Sequence, residues 1–254
     1  MKKIAAMLLA GLLLAGALTV GGAAAGWENA PEFVMSAERS GDTITVSVAP
    51  KTAAALTALE FDLTYDADRL TAVGDADAKT GIYGLTFGTG GTVAVNYPSK
   101  GVLAYAAARS DNYSVAAGAA VAAMQFTIGK GHTAEEFTFT LTKLKAGTYQ
   151  SGAAAEKNYT VYPSASAAAP RLLADRTAVT AENLQGQTIR IAVYDGGGKQ
   201  LSVQQRTITK AVETITVSGE QVKAFWLDGG FVPLIACAHS AAPECSETEP
   251  DIIG

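Results

Sequence analysis

The sequence predicts an all-β protein, because short runs of alternating apolar and polar residues recur along the chain while helical periodicity is almost absent. Turns rich in glycine, proline and serine separate these runs. Each run has one apolar face, and a single sheet would leave that face in water. We therefore predict two stacked sheets: a large N-terminal β-sandwich, followed by a small C-terminal β-sandwich domain.

The first 25 residues have the layout of a secretory signal peptide. Lys2 and Lys3 precede an apolar run at 4–20, and alanines at 23–25 supply a cleavage site before Gly26. The alternative is an uncleaved membrane anchor. Export predicts a secreted or cell-surface protein, and we expect no membrane span in the mature chain. Loss of Lys2 and Lys3 leaves 17 of 19 basic residues against 24 acidic ones, a net charge of −7, which makes nucleic acid a poor partner.

The segment 56–70, LTALEFDLTYDADRL, shows the clearest alternation. In a strand, successive side chains point to opposite faces. One face carries the large apolar residues and is predicted to be core. The other face carries two acids and a hydroxyl: Glu60, Asp62 and Thr64. These side chains meet either water or another molecule. Similar half-buried strands are predicted in three further runs, at 43–48, 124–128 and 137–142.

The composition shifts to Ala, Ser and Pro from Ser151 onwards, which divides the chain. We predict that the first domain covers 33–163 and closes with a strand at 159–162. A linker is predicted at 164–176, a second all-β domain at 177–240 and an acidic tail at 241–254. Strands of the second domain are predicted around 189–194, 201–203, 215–217 and 222–227.

Two stretches of the first domain resemble cohesin domains: EFDLTYDADRLTAV at 60–73 and NYPSKGVLAYAAARSDNYSVAAGAAVAAMQFTIGKG at 96–131. The resemblance covers 33–163 and implies a jelly-roll β-sandwich of about nine strands. It also implies a non-catalytic function, in which one sheet face binds dockerins, the Ca-binding modules of polysaccharide-degrading enzymes. The stretches 193–203 and 222–236 resemble small immunoglobulin-like or fibronectin-like modules of exported Firmicutes proteins.

The resemblance also implies which residues bind the partner. Glu60, Asp62 and Thr64 occupy the dockerin-facing strand, and Tyr97 matches an aromatic contact of the family. Arg109 departs from the family, which often has an acid near this place, so we predict a changed partner specificity. The alternative for Glu60 and Asp62 is a pair of solvated acids on an exposed strand.

Catalytic and metal-binding patterns are not recognisable in this sequence. His132 and His239 have no nucleophile at a familiar spacing, so we predict that the protein is not an enzyme. Four aspartates flank a predicted strand: Asp66, Asp68, Asp75 and Asp77. They lack the glycine and distal glutamate of a Ca²⁺ loop, so we expect solvated acids and no cofactor, with bound Ca²⁺ as the alternative.

Two other functions remain open from the sequence: a carbohydrate-binding module that attaches to polysaccharide, and a cell-surface structural or adhesive protein. The first needs exposed aromatic residues, and the candidates are Tyr83, Tyr97, Tyr105 and Tyr113. Trp226 and Phe231 are predicted to be core, and the alternative is that they stack on a sugar. Cys237 and Cys245 either form a disulfide or remain free thiols.

Overall fold

A computed structural model describes residues 27–73, 87–88, 90–150 and 152–240. The chain divides into two compact units, Met1–Ala168 and Ala169–Gly254. All regular structure in the described residues is β, which confirms the predicted fold class. That part of the chain contains no helix with the length and apolar character needed to cross a lipid bilayer. The predicted signal peptide and acidic tail lie outside the described residues.

The first unit is built from ten described strands, against the nine or so implied by the resemblance. They are β1 (Phe33–Ser40), β2 (Thr43–Pro50), β3 (Ala54–Thr64), β4 (Leu70–Ala72), β5 (Thr92–Ser99), β6 (Val102–Val115), β7 (Ala122–Ile128), β8 (Phe137–Gln150), β9 (Ala153–Asn158) and β10 (Ser164–Ala167). A four-stranded sheet has the order β1-β2-β7-β4. A six-stranded sheet has the order β10-β8-β3-β6-β5, and β9 also pairs with β8.

The apolar faces of these two sheets meet in one core. Phe61 of β3 stacks on Tyr105 of β6 with ring centroids 4.6 Å apart, and both side chains are buried. Phe126 of β7 contacts Phe139 of β8 at 5.0 Å, which joins the two sheets. Because burial alternates along β3, its outward residues lie on the opposite side of the six-stranded sheet.

Part of the predicted linker is strand. β10 pairs with β8 and buries Ala167, so residues 164–167 close the first sandwich instead of leaving it. The strand predicted at 159–162 is not formed. There, Tyr159 donates a hydrogen bond from its hydroxyl to the carbonyl of Pro31 at 2.6 Å, and its ring packs edge-on against Phe33. The residues of β10 are small, and small residues give little periodic signal in a sequence, so this strand was not predicted.

Arginines hold the loop between β7 and β8 at one end of this sandwich. The buried Arg39 guanidinium donates to the carbonyls of Gly41, Thr133 and Glu135. The Glu135 carboxylate accepts from His132 Nδ1 at 2.9 Å and pairs with Arg69. These contacts with His132 and Arg69 lower the pKa of Glu135 below its usual value. The loop is therefore stabilised by charged groups in addition to its apolar neighbours.

The second unit has two smaller sheets around its own core. Its strands are β11 (Arg171–Ala174), β12 (Ala178–Glu182), β13 (Thr188–Tyr194), β14 (Gln200–Thr207), β15 (Val212–Thr216), β16 (Gln221–Trp226) and β17 (Ala238–His239). One sheet has the order β11-β12-β15 and the other β14-β13-β16-β17. The core is mainly Val, Ile, Leu and Ala. Strand β11 occupies the rest of the predicted linker, where it pairs with β12 and buries Leu172.

Two aromatic residues of this unit behave differently. Trp226 is buried in the core, as predicted, whereas Phe231 is 62% exposed, so its prediction as a core residue was wrong. Phe231 lies in a turn whose geometry Asp228 sets, because the Asp228 carboxylate accepts from the amides of Gly230 and Val232. Cys237 is also exposed, and Cys245 lies outside the described residues.

We expect Phe61→Ala to lower the free energy of unfolding by about 3–5 kcal/mol, because it leaves a cavity beside Tyr105. Thr142→Ala, at an exposed position of β8, is the control and should cost less than about 0.5 kcal/mol. Urea denaturation followed by tryptophan fluorescence measures both values. A loss below about 1 kcal/mol for Phe61→Ala would show that this ring does not help to hold the sheets together.

We expect the stabilising effect of Glu135 to depend on pH. Because the pKa of Glu135 is lowered in the folded state, its carboxylate contributes fully to stability above the usual glutamate pKa of about 4.3. This stabilisation is lost as the pH falls through the lowered pKa. The melting temperatures of the wild type and Glu135→Gln should therefore differ at neutral pH and converge in strong acid. Glu136→Gln, a change at an exposed neighbour, is the control. A difference that grows on acidification would contradict this expectation.

Candidate partner-binding face

The outward side of β5, β6, β3 and β8 forms a continuous surface, which we call the outward wall. Registers between these strands arrange it in rows. Ala94 lies opposite Ala106, which lies opposite Glu60 and then Lys145. The next row contains Asn96, Ala104, Asp62 and Lys143. In these two rows, the β5 and β6 positions are alanine except for Asn96, and the β3 and β8 positions are charged.

The alanine half, which we call the alanine platform, consists of five residues: Ala58, Ala94, Ala104, Ala106 and Ala108. All five are partly exposed. Methyl side chains extend little above the sheet, so the platform is flat and apolar. The hairpin between β5 and β6 keeps it in register through Gly101, whose φ is 76°. A Cβ at this position would lie 2.7 Å from the carbonyl oxygen of Tyr65, so only glycine fits.

The two acids of β3 have different surroundings. Asp62 pairs with Lys143 of β8 at 2.6 Å, and its side chain is only 14% exposed, against 69% for Lys143. This hydrogen bond, with the nearby charge of Glu60, raises the pKa of Lys143. Asp62 therefore orients a lysine and is largely neutralised by it. A partner would meet the ammonium group of Lys143 more readily than the carboxylate of Asp62.

Glu60 has no such partner. Lys145 lies opposite it in the register but forms an ion pair with Glu156 of β9 at 2.8 Å. Among the residues that the structure describes, none makes a hydrogen bond or ion pair with the Glu60 side chain. Glu60 is thus a half-exposed acid at the border of the alanine platform. Thr64, on the same strand, donates its hydroxyl to the carbonyl of Thr140 at 2.9 Å.

Tyr97 and Arg109 do not lie on the outward wall with Glu60, Asp62 and Thr64. Tyr97 is half-buried and packs against the core of the sandwich. Arg109 lies on β6 with the same parity as the buried Tyr105 and Ala107, next to the point where the ladder between β3 and β6 is interrupted. Its side chain is 11% exposed, pairs with Asp111 and lies over the ring of Tyr113 at 5.5 Å. Arg109 therefore packs against its neighbours within β6 and does not contribute to the outward wall.

Sequence reasoning missed the alanine platform and the two lysines of β8. A signal for the platform exists, because alanines recur with period two around Tyr105. Lys143 had no such signal. The alternation from Phe137 to Leu141 would place it inside, but an irregularity in the β3–β8 ladder moves it to the outward wall.

The structure describes two of the four aspartates that flank β4. Asp66 accepts from Arg69 and Asp68 pairs with Lys100, and the contact with Arg69 lowers the pKa of Asp66. Asp75 and Asp77 lie outside the described residues. Within the described ranges, no group of three or more His, Cys, Asp or Glu side chains is placed to hold a metal ion.

Comparison with known proteins gives three findings. The family model for the cohesin domain matches residues 34–162. A comparison with curated proteins gives no match. Among solved structures, the sixth cohesin of Acetivibrio cellulolyticus scaffoldin B, in complex with a Cel5 dockerin mutant, is 18% identical, with 52% of this chain and 96% of that chain covered and a TM-score of 0.37.

Two further solved structures are similar to the chain. A cohesin module of a family 33 glycoside hydrolase from Clostridium perfringens is 11% identical, with 54% and 95% of the two chains covered and a TM-score of 0.37. A type I cohesin–dockerin complex from Clostridium thermocellum is 13% identical, with 54% and 98% covered and a TM-score of 0.35. The cohesin family model covers more than half of the residues of the present chain, which therefore belongs to the cohesin domain family.

Proposed function

We propose that the chain is an exported, non-catalytic scaffolding protein whose cohesin domain captures dockerin-bearing, polysaccharide-degrading enzymes outside the cell. Cohesin domains are binding modules and not enzymes, so the function depends on a surface. The outward wall is that surface in this proposal. The observation that carries it is the flat alanine platform bordered by Glu60, an acid without a partner among the described residues.

The geometry of the wall supports a helical partner. A helix can approach a methyl-covered sheet closely along its length, because no bulky side chain stands in its path. Burial of the platform removes apolar area from water at about 25 cal/mol per Å². Glu60 would be desolvated by the same contact, and an unpaired buried carboxylate is costly. The partner is therefore expected to present a small or apolar helix face with a basic side chain next to it.

An extracellular location is part of this proposal and is supported by the sequence of residues 1–25, which resembles a signal peptide. The carbohydrate-binding alternative gains no support from the candidate tyrosines. Tyr105 is buried, Tyr97 and Tyr113 pack against the core, and Tyr83 lies outside the described residues. On the outward wall, the aromatic residue of β8 is Tyr149, which is 40% exposed, whereas stacking on a polysaccharide requires a row of aromatic rings.

A binding experiment with the mature chain tests the proposal. The chain is immobilised and exposed to a panel of dockerin modules encoded by the same genome, with Ca²⁺ present and after chelation. We expect at least one module to be retained with Ca²⁺ and released by the chelator, since the dockerin requires Ca²⁺ to fold. A known cohesin with its own dockerin is the positive control. If the known cohesin retains its own dockerin but this chain retains none of the panel, the proposal is overturned.

Glu60→Lys should weaken dockerin binding about tenfold or more, because the partner's basic side chain would meet a like charge. Glu38→Lys is the matched control, since Glu38 is an exposed acid on β1 of the other sheet. Isothermal titration calorimetry measures both affinities. Equal affinities for the two variants would locate the interface elsewhere.

Ala106→Arg places a long side chain in the middle of the alanine platform. We expect at least about a hundredfold loss of affinity, because the partner could no longer approach the sheet. Thr45→Arg, on the outward side of β2 in the other sheet, should leave affinity unchanged. Melting temperatures verify that both variants fold. Binding by Ala106→Arg at wild-type affinity would exclude the platform from the interface.

Arg109→Ala tests the part of the sequence prediction that the geometry does not support. We expect dockerin affinity to change less than about twofold, whereas stability falls by about 1–2 kcal/mol through loss of packing on Tyr113. Calorimetry and urea denaturation give the two quantities. A tenfold loss of affinity with unchanged stability would return Arg109 to the binding surface.

A further inference from the structure

Strand β14, in the unit Ala169–Gly254, forms a free edge among the described strands. It closes one side of the sheet β14-β13-β16-β17 and pairs only with β13. The ladder between these two strands is regular from Ser202 to Thr207, so the other side of this stretch presents backbone amides and carbonyls that have no strand partner in the described part of the chain. Almost all residues of β14 are exposed. Proteins usually cover or protect an edge of this kind.

The middle of this edge is apolar. Leu201 is 59% exposed and Val203 is 51% exposed. A strand added next to β14 would remove both side chains from water, and each Å² of apolar area buried contributes about 25 cal/mol. The backbone of the added strand would also bond to the free amides and carbonyls. The edge therefore fits an extended peptide with apolar side chains at its centre.

Each end of the edge carries an exposed cation. Lys199 immediately precedes β14, and Arg206 is its second-last residue. Within the described ranges, neither side chain forms an ion pair. The Asp195 carboxylate accepts from the backbone amide of Lys199 at 2.8 Å and leaves the ammonium group unpaired. Behind the edge, the Arg190 guanidinium of β13 lies 4.4 Å from the centroid of Phe231, a contact that does not neutralise it. The edge thus has positive charge without compensation from described carboxylates.

The charges distinguish between two kinds of added strand. If β14 paired antiparallel along its length with β14 of a second copy, Arg206 of one copy would lie close to Lys199 of the other at both ends. Like charges at neighbouring positions oppose this pairing. A strand with acidic residues near its ends would instead gain attraction at the same two places. The cations therefore disfavour a second copy and favour an acidic partner.

We propose that β14 binds an extended acidic segment of another protein, which adds to the sheet as a further strand. The acids of this segment lie next to Lys199 and Arg206, and its apolar side chains pack on Leu201 and Val203. The second unit then connects the chain to a partner other than the one that the cohesin domain binds. This inference is independent of the dockerin-binding proposal, because it involves no residue of the outward wall.

Titration of the mature chain with labelled synthetic peptides tests the inference. The probe has the length of β14, with two glutamates at each end and alternating valine and threonine between them, so that it suits either strand direction. One control peptide has lysines in place of the glutamates. A second control keeps the glutamates but has proline in place of a central valine, which removes a donor of the ladder. Fluorescence anisotropy should show at least about tenfold weaker binding of both controls.

Two results of this titration would overturn the inference. If the proline peptide bound as tightly as the probe, the contact would be charge attraction without an added strand. If the probe gave no detectable binding at about 1 mM, β14 would not be an acceptor for acidic strands.

Arg206→Glu tests the charge of the edge in the same titration. We expect at least about a tenfold loss of affinity for the probe, because its glutamates would meet a like charge. Arg176→Glu, a change at an exposed arginine of the same unit outside β14, is the matched control and should leave the affinity unchanged. Arg206→Gln provides a milder change if the reversal lowers the melting temperature. Equal affinities of Arg206→Glu and Arg176→Glu would contradict the inference.

Hydrogen exchange locates the bound peptide. We expect the probe to slow the exchange of alternate amides of β14, those that point away from β13. Strand β15 is an edge of the other sheet of this unit, and its amides are the internal control. Slower exchange in β15 and not in β14 would overturn the inference. So would a dimer of the free chain in sedimentation equilibrium that the probe does not dissociate and that Val203→Lys does, because the edge would then belong to a second copy.

Discussion

The structure depends on one constraint: two antiparallel sheets must bring their apolar faces together and exclude water. In the first unit, rings from facing strands meet across the core, as Phe126 and Phe139 do at 5.0 Å. Because side chains alternate along a strand, burial of Leu59, Phe61 and Leu63 forces their neighbours outwards. The composition of the outward wall is thus a direct consequence of which residues form the core.

A surface produced in this way can be varied without changing the core, and here two features distinguish it. Alanines make one half flat, which favours close approach of a partner over stacking of sugar rings. The other half divides its charges, since Asp62 is paired with Lys143 and Glu60 is not. In the proposed interface, Asp62 would act through the packing of Lys143, whereas Glu60 would meet the partner directly. One carboxylate can therefore dominate partner choice in a surface that contains several charges.

The second unit applies the same constraint with different outward residues. Its core is aliphatic, and its outward surface combines stacked cations with exposed valines and a phenylalanine. A surface of this kind attracts acidic chains and has apolar area to bury against them. The contrast with the alanine platform shows how a sandwich architecture supports unrelated binding surfaces, because the two sides of each strand are chemically independent.

The periodicity of the sequence was enough to predict the fold class, the buried face of β3 and the outward placement of Glu60, Asp62 and Thr64, because alternation with period two is a local property. The sequence also identified the family resemblance. Which other residues share the outward wall with them depends on how distant strands pair in the folded chain. One extra residue in β8 brings Lys143 to the outward wall, and contacts with Asp111 and Tyr113 hold Arg109 away from it. Strands β10 and β11 likewise form where a linker was predicted. Such irregularities arise from pairing between strands far apart in the chain, and a single inserted residue reverses every face beyond it, so local periodicity does not reveal them.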